Sequence, residues 1–160
     1  MMIEIERKFL PDRVPADRLP PSGERMRQGY IAEDGGVAVR IRITESANTL
    51  TIKGGGGLAR TEVEMYVPAD EAEALWWLTE GRRIEKTRYA VLLLERAGED
   101  LVAEVDVYAG PLDGLCTIEV EFASEDDADA FLAPEWFGRD VTGEEGWSNA
   151  ALARHGRPDR

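Results

Sequence analysis

The sequence predicts an α+β protein that is mainly β: about eight strands in an antiparallel sheet or barrel, with three flanking helices. Three observations carry this. Apolar and polar residues alternate at period two in most segments, as in Ile3-Glu4-Ile5-Glu6 and Val39-Arg40-Ile41-Arg42. The alternating runs come in neighbouring pairs joined by short turns, which is the pattern of hairpins. Helix-opening signals stand out at only three places, Asp70, Ser124 and Ser148.

Residues 3–9 alternate and read as the first strand. Residues 10–23 carry prolines and read as loop with a short helical turn. A strand over 25–33 ends at the turn signal Glu33-Asp34-Gly35-Gly36, and strands 37–45 and 48–53 follow as a pair. Gly54 to Gly57 read as a flexible loop, and Pro68 stops a strand over 59–67. Asp70 as N-cap with Glu73 three residues on opens a helix to about Glu80, with Leu75, Trp76 and Leu78 inward and Gly81 at its end. Residues 84–96 and 100–108 form a hairpin across Gly98-Glu99-Asp100, and 116–122 form another strand. Ser124 starts an acidic helix through Leu132, stopped by Pro134; Ser148 caps a last helix through Arg154, ended near Gly156.

A chain of 160 residues with no repeat or linker reads as one domain, 1–160. The apolar run Ala90-Val91-Leu92-Leu93-Leu94 falls far short of the ~18 residues of a membrane span. The acidic start Met-Met-Ile-Glu-Ile-Glu has no apolar signal region, and with a single cysteine, Cys116, the expected location is the cytoplasm. One histidine, His155, excludes a His-rich zinc site, and Cys-X-X-Cys is impossible. Any metal site must therefore use carboxylates and a hard cation. A net charge of −13 argues against nucleic acid and membrane surfaces as partners.

The unusual signal is charge at strand period. The polar phase holds Glu4, Glu6 and Lys8; Arg40 and Arg42; Lys53; Arg60, Glu62 and Glu64; Lys86 and Arg88; Glu104 and Asp106; and Glu119 and Glu121. These eight acids and seven bases sum to −1, inside a chain of −13. All three lysines of the chain, Lys8, Lys53 and Lys86, belong to the set, although arginine supplies the other 16 bases. One reading is a solvated sheet face with cross-strand ion pairs. The other is a curled sheet whose charged faces line a polar lumen, compensated by divalent cations and a polyanion. Two divalent ions would bring the set to about +3, a match for a triphosphate. The chemistry this permits is phosphoryl transfer. Carboxylates hold hard cations, cations bind phosphate oxygens and acidify a water, and bases clamp the phosphates.

The ordered blocks Glu4-X-Glu6-X-Lys8, Gln28-Gly29-Tyr30, Val39-Arg40-Ile41-Arg42, Thr51-Ile52-Lys53, Arg60-Thr61-Glu62-Val63-Glu64, Lys86-Thr87-Arg88-Tyr89, Glu104-Val105-Asp106, Ile118-Glu119-Val120-Glu121-Phe122 and Trp147-Ser148-Asn149-Ala150-Ala151-Leu152-Ala153 resemble the CYTH family, or triphosphate tunnel metalloenzymes. The resemblance covers nearly the whole chain. It implies an eight-stranded antiparallel closed barrel, a triphosphate tunnel open at both ends. It also implies Mg²⁺ or Mn²⁺, one or two ions, held by Glu4, Glu6, Glu119 and Glu121, with Asp106, Glu104, Glu62 and Glu64 as further ligands or supports. Lys8, Arg40, Arg42, Lys53, Arg60, Lys86 and Arg88 would grip phosphates, with Lys8 also in the catalytic set. Tyr30 would be a proton acceptor or a strand aromatic that places substrate or a carboxylate.

Within that family the short chain, with no C-terminal lysine of the thiamine triphosphatase kind, resembles the bacterial inorganic triphosphatase type. The expected activity is metal-dependent hydrolysis of tripolyphosphate to pyrophosphate and phosphate. The alternatives are a class IV-type adenylyl cyclase, or a non-catalytic binder of polyphosphate or a nucleotide triphosphate. Oligomeric state stays open. Gly54–Gly57 lacks the Gly-Lys-Ser/Thr of a phosphate loop. His155 is expected at the surface, Cys116 in the core, and Trp76-Trp77 in core and rim packing.

Overall fold

The structure, a computed structural model, describes residues 2–55, 58–96 and 99–158. Eight strands run β1 (Met2–Leu10), β2 (Glu24–Asp34), β3 (Val37–Thr44), β4 (Asn48–Gly54), β5 (Ala59–Tyr66), β6 (Arg83–Arg96), β7 (Glu99–Ala109) and β8 (Cys116–Glu121). They pair in the order β5-β4-β3-β2-β6-β7-β8-β1, and β1 returns to β5, so the sheet closes into an antiparallel barrel. A two-residue strand, β9 (Arg139–Asp140), adds to the end of β1. Three helices flank the barrel: α1 (Ala69–Trp76), α2 (Glu125–Ala130) and α3 (Asn149–His155).

Register decides which way each side chain faces. Lys8 lies opposite Glu119, Glu119 opposite Glu104, Lys53 opposite Glu62, Glu4 opposite Arg60 and Gln28 opposite Arg42. Directly opposed residues share a face, so the charged phases of seven strands point into one lumen, joined there by Gln28 of β2. The apolar phase of β1, β7 and β8 points out. Phe9, Val105, Ile118 and Val120 are buried there against Ala128 of α2, Phe122 and Phe137. Arg7, on this outer phase, donates to the carbonyls of Ala128 and Phe131 and pairs with Asp140 at 2.8 Å, which pins α2 and β9 to β1. The helices cover only part of the wall. Ile3, Ile52, Val63 and Met65, on β1, β4 and β5, are 63%, 37%, 42% and 44% exposed.

The second apolar cluster closes one end of the lumen. Tyr30, Ile84 and Tyr108 continue the lumen phase at that end, and Leu112, Leu115, Val141, Trp147 and Leu152 pack on them. The Tyr108 hydroxyl donates to Asn149 Oδ1 at 2.6 Å, tying α3 to the barrel. The expectation of a tunnel open at both ends is corrected here: the C-terminal segment covers one.

Several boundaries differ from the expectation. Pro68, not Asp70, is the N-cap of α1, and Asp70 and Glu71 sit in the first turn, where negative charge suits the helix dipole. The helix tightens to a 3-10 turn at Trp77–Thr79. There Thr79 Oγ1 and Arg83 both donate to the Trp76 carbonyl and Arg82 donates to that of Leu78, so the last carbonyls are satisfied without another α turn. Leu78 consequently faces out, 56% exposed. Gly29 lets this turn approach: a Cβ there would lie 2.5 Å from Thr79 Oγ1. α2 stops at Ala130 rather than Leu132, because Phe131 turns extended and packs against Phe9, Phe122 and Phe137. Gly54 belongs to β4, and Glu99 and Asp100 belong to β7. Gly56, Gly57 and Gly98 of the expected loops lie outside the described residues. Ser148 caps α3 as expected, accepting from Ala151 N, and Gly156 ends it at φ 72°.

Candidate active site: a charged lumen

The lumen has two chemically different walls. On β1, β7 and β8 with β6, bases are already paired. Lys8 Nζ lies 3.3 Å from Glu119. Lys86 Nζ lies 2.6 Å from Asp106, with both side chains inaccessible to solvent. Arg88 donates through Nε and Nη2 to the two oxygens of Asp106 at 2.8 and 2.9 Å, and also pairs with Glu104. Where β1 meets β5, Lys53 Nζ sits 2.9 Å from Glu4 and 3.7 Å from Glu62, and Arg60 sits 3.6 Å from Glu6.

For the two arginines of β3 the partners are neutral. Arg40 donates to Thr51 Oγ1 at 3.2 Å, and Arg42 Nε donates to Gln28 Oε1 at 2.9 Å. Among the described residues neither arginine forms a salt bridge. Arg40 Nε, Arg60 Nε and Gln28 Nε2 are buried donors with no hydrogen-bond partner. Unsatisfied buried donors next to uncancelled positive charge make a surface that fits anionic oxygens.

The protonation states follow from this division. Burial, then Glu119 and Glu4, pushes Glu6 up to about 8 against the pull of Lys53 and Arg60. Burial and a hydrogen bond with Glu4 push Glu62 up to about 7. Burial also acts on Glu119, but Lys8, Arg88, Lys86 and Lys53 hold it well below the usual carboxylate range. Asp106 is lowered by Lys86 and Arg88 in spite of its burial. Burial, then Arg40 and Arg88, draws Arg42 down to about 10, so it stays charged near neutral pH. Burial draws Lys86 down to about 7.

Every sequence-selected residue lies on the lumen phase, at different depths. Tyr30, 4% exposed, sits at the covered end, opposite Arg40 and within the apolar cluster. Glu121, Glu104 and Arg88 sit at the other end, where a cleft of about 680 Å³ is also lined by Gly23, Glu24 and Ser46. Glu4, Glu6, Lys8, Lys53, Arg60, Glu62 and Glu119 gather between them. Glu64 and Glu121 are exposed and join no salt bridge among the described residues. Sequence reasoning named Gln28 and Thr51 within motifs but gave no role to them, nor to Thr117 and Tyr108, all fully buried or nearly so on the lumen phase. Their signal was available as phase: each is in step with a charged neighbour two residues away or directly opposite.

The donor set fits a hard divalent cation. It consists of carboxylate oxygens only, and burial, then the nearby Glu119 and Glu4, push Glu6 up to about 8. Among the described residues no three such groups converge on one point. The Lys53 ammonium instead stands between Glu4 and Glu62.

Comparison with known proteins agrees with this geometry. The CYTH domain model matches residues 2–146. The inorganic triphosphatase of Nitrosomonas europaea is 42% identical over 153 residues, 95% of this chain and 97% of that protein. The inorganic triphosphatase of Acetivibrio thermocellus is 36% identical over 154 residues, 95% and 94% of the two chains. The crystal structure of the inorganic triphosphatase NE1496 superposes with a TM-score of 0.67 at 38% identity, over 99% of each chain.

Proposed function

Since the chain belongs to the CYTH family, we propose that it is an inorganic triphosphatase. It hydrolyses tripolyphosphate to pyrophosphate and phosphate in the barrel lumen, with residues 1–160 acting as one domain. The observation that carries this reading is the pair Arg40, buried, and Arg42, half-buried, both without a carboxylate and facing a wall rich in carboxylates. That arrangement suits a linear polyanion and a cation side by side.

Arg40 and Arg42 bind non-bridging oxygens of the phosphates, with Lys8, Lys53, Arg60, Lys86 and Arg88 completing the clamp. A divalent cation, Mg²⁺ or Mn²⁺, supplies charge neutralisation and an acidified water when held by Glu4, Glu6, Glu119 and Glu121, with Glu62, Glu64, Glu104 and Asp106 supporting them. Lys53, which pairs with Glu4 and Glu62, would bind a phosphate oxygen from that position. Lys8 neutralises charge developing on the transferred group from its place beside Glu119. Tyr30 lines the deep end, as proton acceptor or as a positioning aromatic. Tyr30→Phe separates the two, since loss of kcat at unchanged KM keeps the first.

No helix among the described residues is long and apolar enough to cross a membrane. A cytoplasmic place, and no nucleic-acid partner, follow from charge and composition in this reading. The test is product analysis with Mg²⁺ or Mn²⁺. Phosphate and pyrophosphate from tripolyphosphate, with slow use of ATP, sustain the proposal. Cyclic AMP from ATP makes the protein a cyclase, and tight binding without turnover makes it a binder.

A further inference from the structure

Gln28 lies at the middle of β2, opposite Arg42 on one side and Ile84 on the other. Its side chain is completely buried. Its two amide ends have different fates. Oε1 accepts from Arg42 Nε at 2.9 Å. Nε2 has no partner. The orientation is not free to reverse, because turning the amide over would set its N–H₂ against the N–H of Arg42, donor against donor.

The choice of residue is informative. A glutamate here would hold Arg42 equally well but would cancel its charge. A leucine or methionine would leave no unsatisfied donor and would suit the buried surroundings of Met26 and Ile84. Only the amide fixes the guanidinium by its Nε edge, leaves its charge uncancelled, and adds a neutral donor beside it. Arg42 Nη1 and Nη2 make no hydrogen bond to protein among the described residues, so the fork and the Gln28 N–H₂ form one group of free donors.

We infer that Gln28 is a substrate-binding residue of this lumen: its Nε2 donates to a non-bridging oxygen of the phosphate that the Arg42 fork binds, and its Oε1 positions that fork. The inference rests on the triphosphatase reading and adds to it a neutral contact outside the charged set. A neutral donor holds a phosphate oxygen without adding to the repulsion among Arg40, Arg42 and Arg88. It also gives Arg42 an anchor that a bound anion does not compete for.

The test uses wild type and two variants, Gln28→Glu and Gln28→Leu, with tripolyphosphate. For steady-state kinetics with Mg²⁺, Gln28→Glu is expected to raise KM by about tenfold or more, with Tm unchanged or higher because Arg42 gains a salt bridge. Gln28→Leu is expected to raise KM less and to keep the fold. In the metal-free wild type, titration with tripolyphosphate is expected to shift the ¹⁵N–¹H signal of the Gln28 side-chain amide, identified by its loss in Gln28→Leu. A KM for Gln28→Glu within about twofold of wild type overturns the inference. So does an amide signal unmoved at saturation, which is read on the wild type and stands even if a variant fails to fold; the assignment then comes from selective labelling. If wild type neither binds nor hydrolyses tripolyphosphate, the reading of the whole lumen falls first. If it does both and only the Gln28 signals fail, the triphosphatase stands and the role of Gln28 alone is lost.

Discussion

The two walls of the lumen hold their charges in different ways. On β6, β7 and β8 the Lys86–Asp106–Arg88 group is closed upon itself, with every carboxylate oxygen of Asp106 engaged at 2.6–2.9 Å. On β2 and β3, Arg40 and Arg42 lean on a threonine hydroxyl and an amide. The first wall commits most of its electrostatics to its own ion pairs. The second keeps it for a ligand, and Arg42 is lowered for it, by burial first and then by repulsion from Arg40 and Arg88. Charge count alone does not separate binding residues from structural ones; the identity of each partner does.

The largest expected effect comes from breaking the closed wall. Asp106→Asn leaves buried Lys86 without its carboxylate and Arg88 with Glu104 alone, and is expected to cost about 3–5 kcal/mol, read as a fall in Tm by thermal denaturation. A loss under about 1 kcal/mol would mean that this wall is not held by its ion pairs. The open wall is expected to respond in the opposite sense. Arg42→Gln should lower kcat/KM by about a hundredfold while leaving Tm equal or higher, since it removes an unpaired buried charge. A loss of stability comparable to that of Asp106→Asn would erase the distinction between the walls.

Acid–base behaviour of the metal-free protein offers a finer probe. Glu6 and Glu62 are raised to about 8 and about 7, and Glu104 and Glu121 are raised as well, burial being the first cause in each. A carboxyl raised by folding keeps a proton that the unfolded chain has shed, so stability falls as pH rises from about 4.5 toward 7. Above 7, Lys86 loses its proton in the fold before it does in the unfolded chain and opposes the trend. The expected observation is a Tm that declines between pH 5 and pH 7 with a chelator present, and declines less with Mn²⁺. A Tm that climbs over that range would contradict the crowding of carboxylates. The smallest effect concerns the covered end, which neither wall governs: Ser148→Ala removes the cap on α3 and should cost about 1 kcal/mol, with little change in KM.

What the sequence made legible was whatever repeats at period two. Most lumen strands announce themselves because charge recurs on one phase while apolar residues hold the other, so strands and facing came together; Arg7 breaks the pattern and is tied down by carbonyls and Asp140. Capped helix starts at Ser124 and Ser148 were legible for a similar reason, a hydroxyl placed where a free N–H needs it. The misses are long-range. β9 is two residues long and exists because Arg7, on a strand more than a hundred positions away, draws Asp140 in. α2 ends early for Phe131 to reach the aromatic cluster, and α1 ends early because Arg82 and Arg83 take its carbonyls. The covered end depends on apolar residues scattered from Tyr30 to Leu152, which no local pattern joins. In the site, charge drew the eye and Gln28 did not, since a neutral amide carries weight only through the arginine it faces.

The closure of the barrel has a further consequence, in the order of events during folding. β2 to β7 are joined through neighbours in sequence, except for the excursion over α1, and hairpins of that kind form early. β1 must wait, since Glu6 and Lys8 find their partners at Glu121 and Glu119, across most of the chain. On a ribosome the first strand emerges long before its partners exist. Until β8 arrives, Lys8 lacks Glu119, and the β1–β5 pairing of Glu4 with Arg60 stands open to water. The desolvation of the lumen is thus concentrated in one late, non-local step. Chain closure should be slow, and substitutions at the β1–β8 seam should act mainly on the folding rate.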